Sequence, residues 1–175
     1  MIILKAWYHV CMYLKYIVYK LIYTDRFVLG KGTTWRKGFS LMIDKSACVK
    51  IGERCFINNY CSINALGNIT IGDGTIMGEN VKIYDHNHKF RDKDKSLKEQ
   101  GYTIGSVGIG KNCWIGSNVV ILKDVTIGDN VVVAAGIVVR DSIPSNKIAI
   151  IHTKPEYEDI VMDEAENNYS IDGGC

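Results

Sequence analysis

The chain has 175 residues, 47% of them hydrophobic, and 21 basic against 19 acidic side chains give a net charge of +2. That length suits one domain of moderate size with a real core. So balanced a charge excludes bulk affinity for nucleic acid and also wholesale disorder.

The first 23 residues are apolar, but Lys5, Lys15 and Lys20 interrupt them and no small-residue cleavage site follows. They therefore read as neither a secretory signal nor a spanning helix. On a helical wheel Trp7, Val10, Leu14, Ile17, Val18 and Leu21 fall on one side. Lys5, His9, Tyr16, Lys20 and Tyr23 fall on the other, with Met12 out of place, so the segment is an amphipathic helix. Two covers are open for its apolar side. One is the first coil of the following domain together with neighbouring subunits; the other is a peripheral contact of residues 1–23 with a membrane surface, which Trp, Tyr and Lys suit. An uncapped coil would expose unpaired strand edges, which favours the protein cover. The chain divides into the helix, 1–24, a repeat domain, 25–145, and a C-terminal tail, 146–175.

Residues Thr24 to Ser40 form a transition, and coils begin at about Leu41. Branched aliphatic residues then recur every six positions: Ile51, Ile57, Ile63, Ile69, and later Ile109, Ile115, Ile121, Ile127, Val133 and Val139. A period of six is neither helical nor that of a simple strand. It is the period of a hexapeptide solenoid, in which short parallel strands wind round a triangular coil and stack their anchors into a shared core. Ile43, Val49, Ile51 and Ile57 lie twenty residues before Ile63, Ile69, Ile71 and Met77, so the early coils carry a two-residue corner insertion. Glycine follows the anchor at Gly52, Gly72, Gly78, Gly110, Gly116 and Gly128, where the backbone must turn sharply. The fourth residue past each anchor is small or branched and fills a second inward site: Cys55, Cys61, Thr75, Val81, Cys113, Val119, Val125, Val131, Ile137. The chain has six cysteines and no CxxC pair. With three of them inward, they read as reduced thiols of a cytosolic protein.

The ladder breaks after Ile83 and resumes at Val107 or Ile109, leaving a loop over residues 84–106. A loop that long inside a regular solenoid is usually functional. His86 and His88 stand where it leaves the ladder, and imidazole is the usual general base at neutral pH. Pro144 ends the solenoid. After Lys154 only acidic charge accumulates, as in a solvated, frayed tail.

Three stretches carry a family resemblance: Ile83-Tyr84-Asp85-His86-Asn87-His88, then Glu99-Gln100-Gly101-Tyr102 with Val107-Gly108-Ile109-Gly110, then Cys113-Trp114-Ile115-Gly116-Ser117-Asn118 with Val133 to Asp141. Residues Ile43 to Ser145 resemble the hexapeptide-repeat acyltransferases, particularly sugar O-acetyltransferases of capsular and lipopolysaccharide biosynthesis. The resemblance implies an all-β fold, a left-handed parallel β-helix with the N-terminal helix and short tail attached. It implies acetyl-CoA as co-substrate, no metal, a homotrimer with an active site at each subunit boundary, and direct transfer to a sugar hydroxyl with His86 as base. A thioester is already activated, so one base, positioning and an oxyanion donor can suffice.

His88 is the competing base, and Asp85, Asn87, His88, Gln100 and Trp114 are expected against the acceptor. Asp85, the neighbour of His86 in extended backbone, should point to the other face and is a weak candidate to orient it. Trp114, Gly116, Ser117, Ala134, Ala135 and Arg140 match positions against acetyl-CoA. Arg140 and Val139 stand where the family usually has Lys and Thr, and Ile150 to Pro155 departs from its closing segment, with Lys154 a substitute contact for the 3′-phosphate. The expected location is cytoplasmic, at the inner membrane face if the helix binds lipid. Two other readings stay open: an N-acetyltransferase on a nucleotide-linked amino sugar, and a scaffold without catalysis. The zinc anhydrases of this fold need histidines from adjacent coils, and none occurs between Lys89 and Ile151.

Overall fold

The computed structural model describes residues 2–150; the acidic tail beyond them, with His152 and Lys154, lies outside the described residues. A helix, Ile2–Tyr23, leads through a short 3₁₀ turn, Thr24–Arg26, into a parallel β-solenoid. Its strands stack into three faces. The first holds Phe27–Leu29, Cys48–Ile51, Asn68–Ile71, Ser106–Ile109 and Thr126–Ile127. The second holds Thr34–Trp35, Phe56–Ile57, Ile76–Met77, Trp114–Ile115, Val132–Val133 and Ile148–Ala149. The third holds Ser40–Ile43, Ser62–Ala65, Lys82–Tyr84, Val120–Ile121 and Val138–Val139.

Every anchor of the six-residue series is buried, from Ile43 to Val139, and so is each small or branched residue four positions on. Inward columns form because parallel strands put like positions above one another. Ile69 sits between Val49 and Val107, and Ile115 sits between Met77 and Val133. The inward cysteines are free thiols and do more than fill space. Thr33, Cys55, Thr75 and Cys113 succeed one another in one column, and each donates to a glycine carbonyl of the next coil, at Gly52, Gly72, Gly110 and Gly128. Hydroxyl and thiol thus satisfy the same buried carbonyl position.

Several expectations need correction. The coils begin at Phe27, not Leu41: Phe27, Trp35 and Phe39 are fully or almost fully buried and open the three columns. That first coil spans twenty-two residues, since Thr34 pairs with Phe56 and Leu41 with Ile63. Ile43 therefore lies over Ala65 and not over Ile63. The twenty-residue step holds for the next coil, where Val49 pairs with Ile69 and Phe56 with Ile76. Pro144 does not end the stack. Ile143 bridges to Ile127, and Ile148–Ala149 pairs with Val132–Val133, because a proline at a corner removes no ladder donor. The sharp turn is not at the glycine after the anchor but two residues later. Asn80, Asn112, Asn118, Asn130 and Asn146 take positive φ there, a conformation asparagine tolerates. The glycine after the anchor answers to crowding: a Cβ on Gly116 would meet the Ala135 backbone nitrogen at 2.6 Å.

The helix caps the first coil as expected, but with the opposite face. Tyr19 is buried, and Met12, Tyr16 and Tyr23 pack on the core. Tyr19 meets Phe27 and Phe39 edge-on at 6.1 and 6.2 Å. Its hydroxyl donates to the Phe39 carbonyl at 3.3 Å and accepts from the Leu41 amide at 3.2 Å. The Tyr23 hydroxyl donates to the Leu41 carbonyl, Lys15 to the Phe39 carbonyl, and Lys20 to the Phe27 carbonyl. The reason is chemical. The end coil presents a row of unpaired backbone groups, and an aliphatic face would bury them unsatisfied. Tyrosine brings apolar area and a hydroxyl to the same place. Trp7, Leu14 and Leu21, on the other side, are 62%, 58% and 75% exposed.

Candidate active site

The break in the ladder is a β-hairpin arm. Past Tyr84 the chain leaves the third face, and His86–His88 pairs antiparallel with Tyr102–Ile104, His86 opposite Ile104. The arm springs from the corner where the third face passes into the first. At its tip the Gln100 amide accepts from the Asp92 backbone N–H and donates to the carbonyls of Asp92 and Lys95. Glu99 accepts from the Ser96 hydroxyl and backbone, which lowers its carboxyl below the usual range. A hollow of about 590 Å³ opens along the arm between Asn87, His88, Phe90, Arg91 and Thr103.

The base of the arm is held by a buried carboxylate. Asp85 is fully buried. Its Oδ1 accepts from the Leu66 N–H at 2.9 Å and lies 3.1 Å from His86 Nδ1, while Oδ2 accepts from the Gly67 N–H at 2.8 Å. Leu66 and Gly67 are the two residues by which the twenty-residue coil exceeds the regular eighteen. The insertion thus supplies both amides that hold the carboxylate. No side chain fits at Gly67, where a Cβ would come within 2.3 Å of the Gly105 carbonyl oxygen. Asp85 in turn fixes the imidazole. A carboxylate at Nδ1 makes that nitrogen the donor, so Nε2 of the neutral ring is left as the acceptor. The rings of Tyr84 and Tyr102 stand edge-on to His86 at 6.3 and 5.3 Å, and its side chain is 12% exposed. His88 differs: it is exposed and packs on Tyr102 at 4.5 Å, with no carboxylate partner among the described residues.

Both Asp85 oxygens are engaged at this corner, and Asp85 reaches His86, although extended backbone alone would point it to the other face, because the chain bends at the arm. The Gln100 amide staples the tip and also borders the hollow along the arm. Asn87 and His88 remain on the open side of the arm. Leu66, Gly67 and Gly105 were missed, although the two-residue step at Ile69 and Ile71 marked the corner they build.

The other expected residues lie elsewhere. Trp114 is 55% exposed on the outside of the second face, between Ile76 and Val132. Gly116, Ser117, Ala134 and Ala135 form the corner between the second and third faces, with Ala135 exposed. The amides of Gly116 and Ala134 are committed to the carbonyls of Val133 and Ala149, and the Ser117 hydroxyl accepts from the Glu79 N–H. Arg140 is exposed one corner further on, past Val138–Val139. In a three-sided coil the second face lies opposite the corner carrying His86. One chain therefore cannot bring Trp114 to His86; a second copy could. Among the described residues no group of three His, Cys, Asp or Glu is placed to hold a metal ion.

Residues 106–141 match the family described as bacterial transferase hexapeptide (six repeats). Nodulation protein L of Rhizobium meliloti (strain 1021) is 38% identical over 98 residues, which is 55% of this chain and 51% of that protein. The chain spans about half the length of the first curated relatives it matches. Among solved structures, a hexapeptide-repeat acetyltransferase of Vibrio cholerae complexed with acetyl coenzyme A is similar at a TM-score of 0.62 and 30% identity, over 70% of this chain and 64% of that one. A maltose O-acetyltransferase from Clostridium difficile 630 is similar at a TM-score of 0.62 and 32% identity, over 74% of this chain and 67% of that one. With its stacked coils, its arm and these likenesses, the chain belongs to the hexapeptide-repeat transferase family.

Proposed function

We propose that the protein is an acetyl-CoA-dependent O-acetyltransferase that acts on a saccharide hydroxyl, with His86 as general base. The observation that carries this is the pair formed by buried Asp85 and largely covered His86 at the foot of the arm. In this reading Nε2 takes the proton of the acceptor hydroxyl as its oxygen attacks the thioester carbonyl. A C–O bond forms, the C–S bond breaks, and the imidazolium returns its proton to the leaving thiolate of CoA. Asp85 holds the ring in the required tautomer and stabilises its positive form. Acetyl-CoA as donor is supported by the similarity to the Vibrio cholerae acetyltransferase complexed with it, and a sugar acceptor by the maltose O-acetyltransferase. Asn87 and His88 would face the acceptor. The small residues Gly116, Ser117, Ala134 and Ala135 leave an uncluttered edge for the thin acyl-bearing arm of the donor, with Trp114 over it and Arg140 toward its phosphates.

Because the second face lies opposite the His86 corner, a site using both needs another subunit. A homotrimer closes such head-to-tail contacts. Work on surface polysaccharide precursors inside the cell follows from the family resemblance.

The test is acetyl transfer from acetyl-CoA to a panel of sugars, read by release of free thiol and by mass of the product. Ester formation on a hydroxyl, lost in His86→Ala, is the expected result, with light scattering giving three times the chain mass. Amide formation on amino sugars alone would replace the acceptor; full activity of a stable monomer would remove the shared site.

A further inference from the structure

The capping helix leaves its aliphatic side uncovered. Trp7, Val10, Leu14, Ile17, Val18 and Leu21 are all exposed, and together they make one stripe. Tyr16 and Tyr19 on the opposite side lie over Phe27, Trp35 and Phe39, which line the open mouth of the first coil. The stripe therefore points away from the coils, along the solenoid axis. A copy packed side by side against the three walls would not reach it. A contiguous apolar patch of this kind marks an interaction surface.

Charge says which kind. No acidic residue occurs in residues 1–23, and residues 1–50 hold nine basic side chains against two acidic ones. Residues 51–150 hold eleven basic and ten acidic side chains, so among the described residues the excess of cations is concentrated in the first fifty. The two features share one end of the molecule. Exposed Arg36 and Lys37 border the same hollow as Trp7 and Cys11, and Lys31 and Lys45 are exposed on the same first coil. None of the described helices is long and apolar enough to cross a membrane. An apolar stripe flanked by an aromatic belt residue and bordered by the exposed cations Arg36 and Lys37 is the complement of an anionic lipid surface.

We propose that the capped end docks flat on an anionic bilayer surface, with the helix Ile2–Tyr23 lying in the interface and its aliphatic stripe among the acyl chains. The tyrosine side stays on the solenoid, so docking costs the cap nothing. The arm and His86 stand on the wall of the solenoid, two coils away from the docked end, and remain open to solvent. The inference is independent of the chemistry proposed for that corner.

The test is co-sedimentation of the full chain with vesicles of phosphatidylcholine alone and of phosphatidylcholine mixed with phosphatidylglycerol. Binding to the mixed vesicles only, weakened by salt and abolished by Leu14→Glu with Ile17→Glu, is the expected result. Circular dichroism, sizing profile and acetyl transfer should be unchanged in that variant. A wild-type chain that stays in the supernatant overturns the proposal, as does equal binding to both vesicle types. So does a double variant that changes the sizing profile of a chain that binds no vesicle, which would assign the stripe to a second copy. If the helix variant does not fold, Arg36→Glu with Lys37→Glu, outside the helix, must lose vesicle binding; retained binding overturns the proposal too.

Discussion

The coils before and after the arm follow different rules. From Ile109 to Val139 the stack is regular: Trp114 lies under Val132 and Val120 under Val138, each eighteen residues on, and only the last step, Val132 to Ile148, shortens to sixteen. Before the arm the step is twenty-two residues, then twenty, and the surplus sits at corners. The regular coils bury their anchors completely, with Ile115, Ile121 and Val133 at 0% exposure, and offer the outside little beyond Trp114. The irregular ones bury their anchors equally well and also build something. The extra Leu66 and Gly67 turn two amides toward Asp85, and the arm starts one coil later at the same corner. Stacking is thus the work of the period, and the Asp85–His86 corner the work of its interruptions. A solenoid tolerates this because each coil contacts only its neighbours, so a corner can change without moving the columns.

The comparison breaks most sharply at His86. His86→Ala should lower kcat by roughly 10²–10⁴-fold, the usual worth of a positioned base, with melting temperature and acetyl-CoA affinity held. His88→Ala should do far less; the reverse outcome would move the base to the exposed imidazole. A regular coil should show the opposite pattern. Ile121→Ala should destabilise by about 2–5 kcal/mol through the cavity left in a fully packed column, read as denaturant midpoint. Its kcat at a temperature where it is folded should be close to that of the wild type.

Asp85→Asn sharpens the contrast, because it touches both stack and site. The amide keeps the shape but loses the charge and one acceptor oxygen. We expect kcat to fall by less than in His86→Ala and KM for acetyl-CoA to hold. A pure packing role would change stability and leave kcat, measured where the variant is folded, in place.

The smallest effect concerns the buried thiols. Burial pushes the Cys55 and Cys61 thiols up from their ordinary value. Their folded values then exceed the unfolded ones, so the stability they lend is complete below about pH 8.5. It declines as pH rises further, because the unfolded chain releases those protons while the folded chain holds them. Cys55→Thr keeps the hydroxyl pattern of Thr33 and Thr75, and Cys61→Val copies Val81. The double variant should flatten the fall of melting temperature between neutral and alkaline pH. An unchanged slope would assign that fall to other groups.

The sequence by itself determined the columns. Ile51 through Val139 mark the inward sites, although the register of the first coil, with Ile43 over Ala65, came only with the strand pairing. Cys55, Cys61 and Cys113 declared themselves inward by position, and the gap after Ile83 located the arm and His86. The tertiary structure decided whatever depends on unpaired backbone groups. The two-residue corner insertion is legible in the sequence, but one dimension does not show that the amides of Leu66 and Gly67 turn inward there, nor that Asp85 reaches them. The helix is the plainest case. Its wheel divides correctly into aliphatic and tyrosine-rich sides, and hydrophobicity alone would bury the first. The edge of the first coil reverses that choice, because the carbonyls of Phe39 and Leu41 and the Leu41 amide need hydrogen bonds. Tyr19 and Tyr23 can make those bonds, and Leu14 and Leu21 cannot.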